Sequence, residues 1–373
     1  MKKLKVLTVV GTRPEIIKLS RVISELDKNF EHILVHTGQN FDYELNEIFF
    51  KDLDIRPPNF FLNCAEDSFS ATIANVIKKC DKIFKDIKPD ALLILGDTNS
   101  CLSAISAKRN KIPIFHMEAG NRCFDDRVPE EINRRIVDHI SDINLPYSDI
   151  ARECLLREGL LLDRIIKTGS PMFEVMNFYK KKIYKSQILR KLKLKKKKFI
   201  LVSIHREENV DSQSSLTKII FILNDLVNNL KIPIIFSVHP RTSTQINQSS
   251  FKLKKGVKLI KPLSYTDYNQ LQINSKFVIS DSGTLNEEAS ILNFPAINMR
   301  VTHERHEATE EQTTLMTGLD LFTVKNAINI LLKQKKNTLK VPRDYLKDNV
   351  SEKVVRCILS YTDYVNRNVW KKI

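Results

Sequence analysis

The feature that most constrains the fold is a repeated alternation of short apolar runs, rich in Val, Ile and Leu, with segments of helical periodicity. In the first half, predicted strands at 5–11, 32–38, 91–97 and 112–118 precede predicted helices at 15–27, 42–51, 99–109 and 129–141. The second half repeats the pattern, with strands at 199–205, 232–239, 257–262, 277–283 and 295–300 and helices between them. Nearly continuous apolar strands separated by helices are typical of a parallel sheet that is covered on both faces.

The repetition predicts an α/β protein with two Rossmann-like, doubly wound domains that face each other across a cleft. A length of 373 residues fits two such domains. The strand pattern lapses over 172–190, where we expect the joint between the halves. A further helix is predicted near 351–366, and its periodicity alone leaves open which half it packs on.

Composition limits the cellular compartment and the classes of partner that we expect for the protein. Hydrophobic residues make up 42% of the chain, and the formal charge is +16. Much of that charge lies in lysine runs such as 191–199, which favour solvated turns over a nucleic-acid or membrane-binding patch. The six cysteines are scattered, the first apolar run is interrupted too early for a signal peptide, and no run approaches the roughly 20 residues of a membrane span. We therefore expect a cytoplasmic protein without nucleic-acid or membrane partners.

Polar clusters directly follow the predicted strands. In open parallel sheets, ligands bind beyond the carboxyl ends of the strands, so these clusters are candidates for a site. They comprise residues 11–13, 38–40, 96–98, 118–120, 205–207, 239–241, 282–284 and 300–307. We expect them to line the predicted cleft from both sides.

The segment "SDSGTLNEEA" (280–289) has the form of an anion site. Ser282, Gly283 and Thr284 lie between a predicted strand and a predicted helix, where backbone N–H groups and the helix dipole attract phosphate. Gly283 permits close approach of a ligand, and Glu288, one turn into the helix, is placed to accept two ribose hydroxyls. The same residues also fit a serine N-cap followed by helix-favouring glutamates.

The segment "GTRPEIIK" (11–18) has a similar form. Pro14 suits the first helical position, and Arg13 before it can hold a phosphate with two hydrogen bonds. The alternative is an ordinary helix start with Arg13 and Lys18 in solvent. The Walker signature is absent, and no GxGxxG occurs in a chain with nine glycines, so we expect no dinucleotide and no other cofactor.

Three carboxylates are candidates for acid and base chemistry. Asp97 follows a strand, although capping the next helix is an equally good role for it. Glu118 ends an apolar strand and caps nothing in the pattern. Glu130 lies one helical turn before Arg134, which fits either a site or an exposed ion pair. Carboxylates around one cleft suit proton transfer.

The second half contributes an imidazole and a basic loop. His205 follows a strand and is a candidate site residue, although a lone histidine there is often only hydrogen-bonded. The segment "THERHE" (302–307) lacks the spacing of a metal motif, and we expect no metal. Arg305 within it is predicted to be a second phosphate contact.

These motifs resemble the non-hydrolysing UDP-N-acetylglucosamine 2-epimerase family over nearly the whole chain. The resemblance rests on "GTRPEIIK", "LGDTNS", "HMEAGNR", "PEEINRR", "TGSPMFE" and "SDSGTLNEEA", in the family's order. The segments "GNRCFDDRVPEEINR" and "THERHEA" are most similar to the branch that inverts C2 of UDP-2-acetamido-2,6-dideoxy-L-talose to give UDP-N-acetyl-L-fucosamine. The alternative is the branch acting on UDP-N-acetylglucosamine, which carries a longer and more aromatic loop before Pro-Glu-Glu.

The resemblance implies a glycosyltransferase-B architecture and a homodimer. The first domain would comprise 1–172 plus 355–373, with the last helix crossing back, and the UDP-binding domain would comprise 173–354. Some family members bind a second nucleotide sugar as activator. Here Gln39 of that set is kept but its neighbours differ, so no such regulation is predicted. The product is expected to enter a capsule or O-antigen polysaccharide.

The resemblance also implies residue roles. The diphosphate would be bound by Arg13, Ser282, Gly283 and Thr284, while Glu288 holds the ribose and Tyr268 lies against the uracil. The family's catalytic positions fall on Asp97, Glu118, Glu130 and His205, with Lys18 and Arg134 nearby. The implied mechanism eliminates UDP to leave a 2-acetamidoglycal and then re-adds it. Our hypothesis is that the three carboxylates move protons while His205 assists the leaving phosphate.

Three other functions compete with the epimerase. A UDP-sugar-dependent glycosyltransferase shares the fold but needs an acceptor groove, often with a membrane-facing helix that the first half lacks. A nucleotide-sugar sensor would not need the carboxylates. A hydrolysing epimerase normally carries an extra kinase domain.

Overall fold

The computed structural model describes residues 3–39, 43–238, 240–248, 251–334 and 340–372, and Asn40 and His239 of the predicted clusters lie outside them. The described chain forms two parallel sheets of six strands each, which confirms the α/β class with two Rossmann-like domains. The first sheet contains β1 (Lys5–Val10), β2 (Glu31–His36), β3 (Phe60–Phe61), β4 (Ala91–Leu95), β5 (Ile114–Met117) and β6 (Ile143–Leu145). The second contains β7 (Ile200–Ser203), β8 (Ile234–Ser237), β9 (Val257–Ile260), β10 (Val278–Ser280), β11 (Ala296–Asn298) and β12 (Leu315–Met316).

Helices connect the strands. They are α1 (Arg13–Asn29), α2 (Tyr43–Asp52), α3 (Phe69–Ile87), α4 (Ser103–Arg109), α5 (Pro129–Ile140), α6 (Asp149–Arg157), α7 (Met172–Lys185), α8 (Ile188–Lys191), α9 (Glu207–Val210), α10 (Gln213–Leu230), α11 (Pro240–Gln248), α12 (Tyr265–Asn274), α13 (Leu285–Leu292), α14 (His306–Glu310), α15 (Leu321–Lys333) and α16 (Val350–Asn368). Short 3₁₀ helices lie at Asn99–Leu102, Leu162–Arg164 and Arg343–Tyr345. No helix in these described ranges combines the length and the apolar character that a bilayer crossing requires.

The two sheets share one strand order. In space the first reads β3-β2-β1-β4-β5-β6, and the second reads β9-β8-β7-β10-β11-β12. The direction of winding therefore reverses between β1 and β4, and again between β7 and β10. In each sheet a crevice opens beyond the carboxyl ends of the strands at the reversal, walled by the loops after β1 and β4 in the first and after β7 and β10 in the second.

Burial on both faces explains the apolar strands. In the first sheet β1 and β4 are buried along almost their whole length. One face packs against α3, α4 and α5 through a cluster that includes Leu7, Leu92, Ile94, Val76, Ala104 and Val137. The second sheet has one cluster on each face, the larger built on α10 and the smaller on α12 and α13. Each fully buried Leu or Ile contributes about 1.5–3 kcal/mol to folding.

The described residues fall into two compact units, 1–178 with 343–373, and 179–342. These limits differ from the predicted boundaries at 172/173 and 354/355. The first predicted boundary falls at the start of α7, which is one continuous helix. The second falls inside α16, and the chain rejoins the first unit earlier because Lys167 binds Asp344 at 2.9 Å. α16 then packs on α1, and Glu174 accepts the Ser351 N–H at 2.9 Å.

Candidate functional site

The first candidate cluster lies at the carboxyl edge of the first sheet. Its side chains follow β1, β4 and β5 or come from α1 and α5. β4 and β5 pair in parallel with Leu95 level with Met117, so the turns that contain Asp97 and Glu118 are neighbours. We call these residues, with Lys18 and Arg134, the carboxylate cluster.

Glu118 is buried next to a cation. Its Oε2 lies 2.5 Å from Lys18 Nζ, and the two residues are 6% and 5% exposed. The backbone of Glu118 is left-handed, with φ +66°. That conformation costs a residue with a Cβ about 1–2 kcal/mol. Strain of this kind persists only where the surroundings fix it.

Asp97 is held by Arg134 from α5. Arg134 Nε donates to Asp97 Oδ2 at 3.0 Å, and Arg134 Nη2 donates to the same oxygen. The carbonyl of Asp97 accepts a bond of 3.0 Å from Asn133 Nδ2. The Asp97 side chain keeps 19% exposure, so it is fixed in orientation but still reachable.

Glu131, which was not predicted as a site residue, supports this arrangement. It is fully buried, accepts from Arg134 Nη1 at 2.5 Å and accepts from the Cys123 N–H at 3.0 Å. Burial would raise the pKa of Glu131, but the Cys123 N–H and Arg134 outweigh burial and hold that pKa below its ordinary value. Its neighbour Glu130, the predicted catalytic residue, is half-buried on the first turn of α5. The motif "PEEINR" places both glutamates within one turn of Arg134, so spacing alone could not separate them.

Glu15 joins the β1–α1 turn to the turn after β4. It is buried and accepts from the Gly11 N–H at 3.0 Å, from Thr12 Oγ1 at 2.7 Å and from Ser100 Oγ. Burial is the largest influence on its pKa and raises it above the ordinary value, although these three donors oppose the shift. Arg13 starts α1 beside it and is half-buried, with Pro14 in the first turn as predicted.

The second candidate cluster lies at the carboxyl edge of the second sheet and centres on Asp281. Asp281 follows β10, is fully buried and was not predicted as a site residue. It accepts from the N–H groups of His205 and Arg206 at 3.1 and 3.0 Å and from Asn209 Nδ2 at 2.9 Å. The His205 ring is 43% exposed, and its Nδ1 lies 3.4 Å from Asp281 Oδ1. Asp281 therefore fixes the turn after β7 that carries His205.

The turn before α13 is built for close approach. A Cβ on Gly283 would lie 2.8 Å from Glu304 Oε1 and 3.8 Å from Arg206 Nη2, so a larger residue there would require the end of the Glu304 side chain to move. The N-cap residue of α13 is Thr284, and its hydroxyl bonds Glu288 Oε1 at 2.9 Å and makes no capping bond.

Two further hydrogen bonds order this turn. Ser282 Oγ lies 3.1 Å from Thr284 Oγ1. Gln272 Nε2 donates to the other oxygen of Glu288 at 2.6 Å. Both carboxylate oxygens of Glu288 are therefore already oriented by side chains of α12 and of the turn.

The remaining predicted residues of this unit, Tyr268 and Arg305, are held by the packing around α12 and α13. Tyr268 on α12 packs against the smaller cluster, and burial raises the pKa of its hydroxyl above the ordinary value. Arg305 is 1% exposed, with Nη2 3.3 Å from Oε2 of the buried Glu287 on α13. A phosphate contact from Arg305 stays a prediction, and it requires the guanidinium to reach past that pair.

Comparisons with known proteins match the chain to one family. The family model described as UDP-N-acetylglucosamine 2-epimerase matches residues 24–359. A solved UDP-N-acetylglucosamine 2-epimerase from Rickettsia bellii is 48% identical, with TM-score 0.91, over 99% of this chain and 100% of that one. The Methanocaldococcus jannaschii enzyme, solved in complex with UDP-GlcNAc and UDP, is 33% identical with TM-score 0.89, over 96% and 100%. A Pseudomonas aeruginosa relative, UDP-2,3-diacetamido-2,3-dideoxy-D-glucuronate 2-epimerase, is 34% identical over 80% of this chain and 83% of its own.

The buried Glu15 gives the free energy of unfolding a distinct pH dependence. Because the folded pKa is raised above 4.5, the folded state holds this proton more tightly, and stability falls as pH rises from 4.5 through the folded pKa. Glu15→Gln cannot ionise, so the wild type should lose stability relative to this variant over that range. Urea unfolding between pH 4 and pH 8 measures it, with the exposed Glu153→Gln as control. Parallel curves for wild type and Glu15→Gln would contradict the assignment.

Proposed function

The chain belongs to the UDP-N-acetylglucosamine 2-epimerase family, a family of isomerases, and from that premise we propose that it inverts C2 of a UDP-linked 2-acetamido sugar by eliminating and re-adding UDP. The observation that carries the proposal is the carboxylate cluster: Asp97 and Glu118 on adjacent turns, each held by a cation. Proton removal on one face and delivery on the other requires such acids, fixed at the edge of the sheet.

The chemistry explains why cations are needed beside the acids. The C2 proton of an N-acetylated sugar is not acidic, because no carbonyl carbon neighbours C2 directly. When the C1–O bond to UDP breaks first, positive charge develops at C1 and the C2 proton becomes removable. The products are a 2-acetamidoglycal and UDP, and the same steps in reverse place the proton on the other face. Asp97, Glu118 and Glu130 are the proposed proton carriers.

The second cluster is proposed to bind the nucleotide. The turn at Ser282, Gly283 and Thr284 lies at the start of α13, which suits the diphosphate, although the Ser282 and Thr284 N–H groups donate to the Ser280 and Ser282 hydroxyls in this structure. Glu288 has both carboxylate oxygens already oriented, which suits the two ribose hydroxyls. His205, exposed at the edge of the same cluster, is proposed to protonate the departing phosphate, and Arg13 and Lys18 stabilise its charge. The contacts of Tyr268 with the base and of Arg305 with phosphate belong to the same proposal.

We propose UDP-2-acetamido-2,6-dideoxy-L-talose as the substrate, with UDP-N-acetyl-L-fucosamine as the product. The loop before α5, residues 121–128, supports this choice because it is short and contains a single aromatic residue, Phe124. UDP-N-acetylglucosamine is the alternative substrate, in keeping with the names of the Rickettsia and Methanocaldococcus relatives. The Pseudomonas relative is named for a third sugar, so the sugar differs within the family.

Hydrogen exchange at C2 tests the proposal directly. The purified protein is incubated in D₂O with each of the two UDP-sugars, and the sugar is analysed by NMR and mass spectrometry. We expect deuterium at C2 in both epimers of the true substrate, with UDP retained. Absence of exchange with both sugars would sink the proposed reaction.

Removing single carboxylates tests their roles. Asp97→Asn, Glu118→Gln and Glu130→Gln are each expected to lower the exchange rate by at least ~100-fold, the usual size of a lost general acid or base, while UDP binding persists. The exposed Glu153→Gln on α6 is the matched control and should exchange at the wild-type rate. Normal turnover in any of the three removes that residue from the mechanism.

We propose that the protein is a homodimer that uses an exposed apolar face of α5. Ile132 and Ile136 on this helix are 52% and 40% exposed, while the charged Glu131, Arg134 and Asp138 on the opposite face are buried. Val137 of the same helix is buried in the core, but the two exposed isoleucines, beside Arg135 and His139, leave apolar surface that favours a partner for this face.

Light scattering after size exclusion tests the dimer. The wild type should have twice the chain mass, and Ile136→Asp should shift it to the monomer because a carboxylate would be buried at the interface. Leu359→Asp on α16, at another exposed apolar residue, should leave the mass unchanged. A monomeric wild type, or a dimeric Ile136→Asp protein, would refute this assignment.

A further inference from the structure

We propose that His116, braced by Asp138 and Arg122, is a positioning residue that holds the Asp97 turn and the Glu118 turn in register. These three buried residues take no part in the proton transfers described above, and we call them the bracing network. The inference rests on the proposed function for its kinetic consequences and on geometry alone for its structural ones.

His116 connects the two turns on one side. It lies in β5, fully buried, and its Nε2 is 2.7 Å from the carbonyl oxygen of Gly96, the residue before Asp97. The Gly96 N–H donates to the Met117 carbonyl at 2.9 Å. Gly96 is left-handed, with φ +78°, and its two peptide groups are thus tied to consecutive residues of β5. The direction in which Asp97 leaves the strand therefore depends on His116.

Asp138 extends the connection to the other turn. Its Oδ1 lies 2.9 Å from His116 Nδ1, and its Oδ2 accepts from the Gly120 N–H at 3.1 Å. Gly120 is also left-handed, with φ +81°, and a Cβ there would lie 2.2 Å from the Ala151 carbonyl oxygen. One chain of contacts thus runs from the Gly96 carbonyl through His116 and Asp138 to the Gly120 N–H, two residues after Glu118.

Arg122 completes the network and keeps Asp138 charged. Its Nη1 donates to Asp138 Oδ2 at 2.7 Å, and its Nε donates to Glu158 Oε1 at 2.7 Å. Burial would raise the pKa of Asp138, but His116 and Arg122 lower it below the ordinary value. Asp138 is therefore a carboxylate that accepts from Arg122 and Gly120 while its other oxygen lies against the His116 ring.

The brace matters because the two turns are not in ordinary conformations. Glu118 lies between the tied residues with φ +66°, a conformation that its own side chain does not favour. Without the network the 118–120 turn and the Gly96 turn are free to relax in different directions. A displacement of about 1 Å between reacting groups can cost about 100-fold in rate. The network thus acts on the reaction through Asp97 and Glu118 without touching the substrate.

Two aspartates on neighbouring elements give a matched test. Asp142 is also fully buried and accepts from a β5 amide, Ile114 N–H at 3.0 Å, but at the opposite end of that strand. Asp138→Asn should lower kcat at least ~10-fold, with KM and the Kd for UDP within about threefold of wild type. Asp142→Asn should keep kcat within about twofold of wild type, even when its melting temperature falls as far as that of Asp138→Asn. Equal losses of kcat in the two variants would overturn the proposal, because burial alone would then explain them.

Two substitutions of His116 separate positioning from packing. Glutamine can place its amide nitrogen near Nε2 and still donate to the Gly96 carbonyl, whereas leucine cannot donate. His116→Leu should lower kcat about 100-fold, and His116→Gln should recover about tenfold of that loss. Equal kcat in the two variants, or wild-type kcat in His116→Leu, contradicts the proposal.

Crystal structures of Asp138→Asn and Asp142→Asn decide the matter independently of turnover. The proposal requires the Gly96–Asp97 and Glu118–Gly120 turns to shift relative to each other in Asp138→Asn and to stay in place in Asp142→Asn. Unmoved turns in Asp138→Asn would refute it. A wild-type protein that exchanges no hydrogen with any UDP-sugar tested would instead refute the proposed function, and the structures would still test the brace.

Discussion

The acids at the carboxyl edge of the first sheet depend on cations that two helices deliver from outside the sheet. A carboxylate taken out of water loses several kcal/mol of solvation, and a nearby cation restores this only when the geometry is good. Lys18 comes from α1 and meets Glu118 at 2.5 Å, while Arg134 comes from α5 and holds Asp97 and Glu131 together. Removing one member of such a buried pair typically lowers the free energy of unfolding by about 3–5 kcal/mol. The charges of the site therefore require α1 and α5 to stay in their positions.

The second unit stabilises its buried carboxylate in another way. Asp281 is buried like Glu118, but its oxygens accept hydrogen bonds mainly from N–H groups of the turn after β7. These hydrogen bonds fix the turn that carries His205. The turn that contains Gly283 precedes α13. The two units share a strand order and differ in chemistry: the first holds acids against cations, and the second holds a buried acid against backbone N–H groups.

The alternation of apolar runs and helices was sufficient to predict both sheets, because buried parallel strands leave a long and repeated signal. It missed β3, β6 and β12, which have only two or three residues, and it missed α3, α6 and α7. The rule that ligands bind beyond the carboxyl ends of parallel strands predicted the locations of Asp97 and Glu118. It could not predict that Lys18 pairs with a glutamate 100 positions away, or that Glu131 turns inward beside Glu130. Those outcomes depend on how α1 and α5 pack, and no local pattern records that packing.

The most direct measurement of the central claim is positional isotope exchange. A UDP-sugar substrate carries oxygen-18 in the bridge between C1 and the β-phosphorus and is incubated with the enzyme. If the C1–O bond breaks and UDP stays bound, the β-phosphate rotates and the label appears in its non-bridging positions at least as fast as C2 inverts. Complete inversion at C2 with the label still wholly in the bridge would contradict the account.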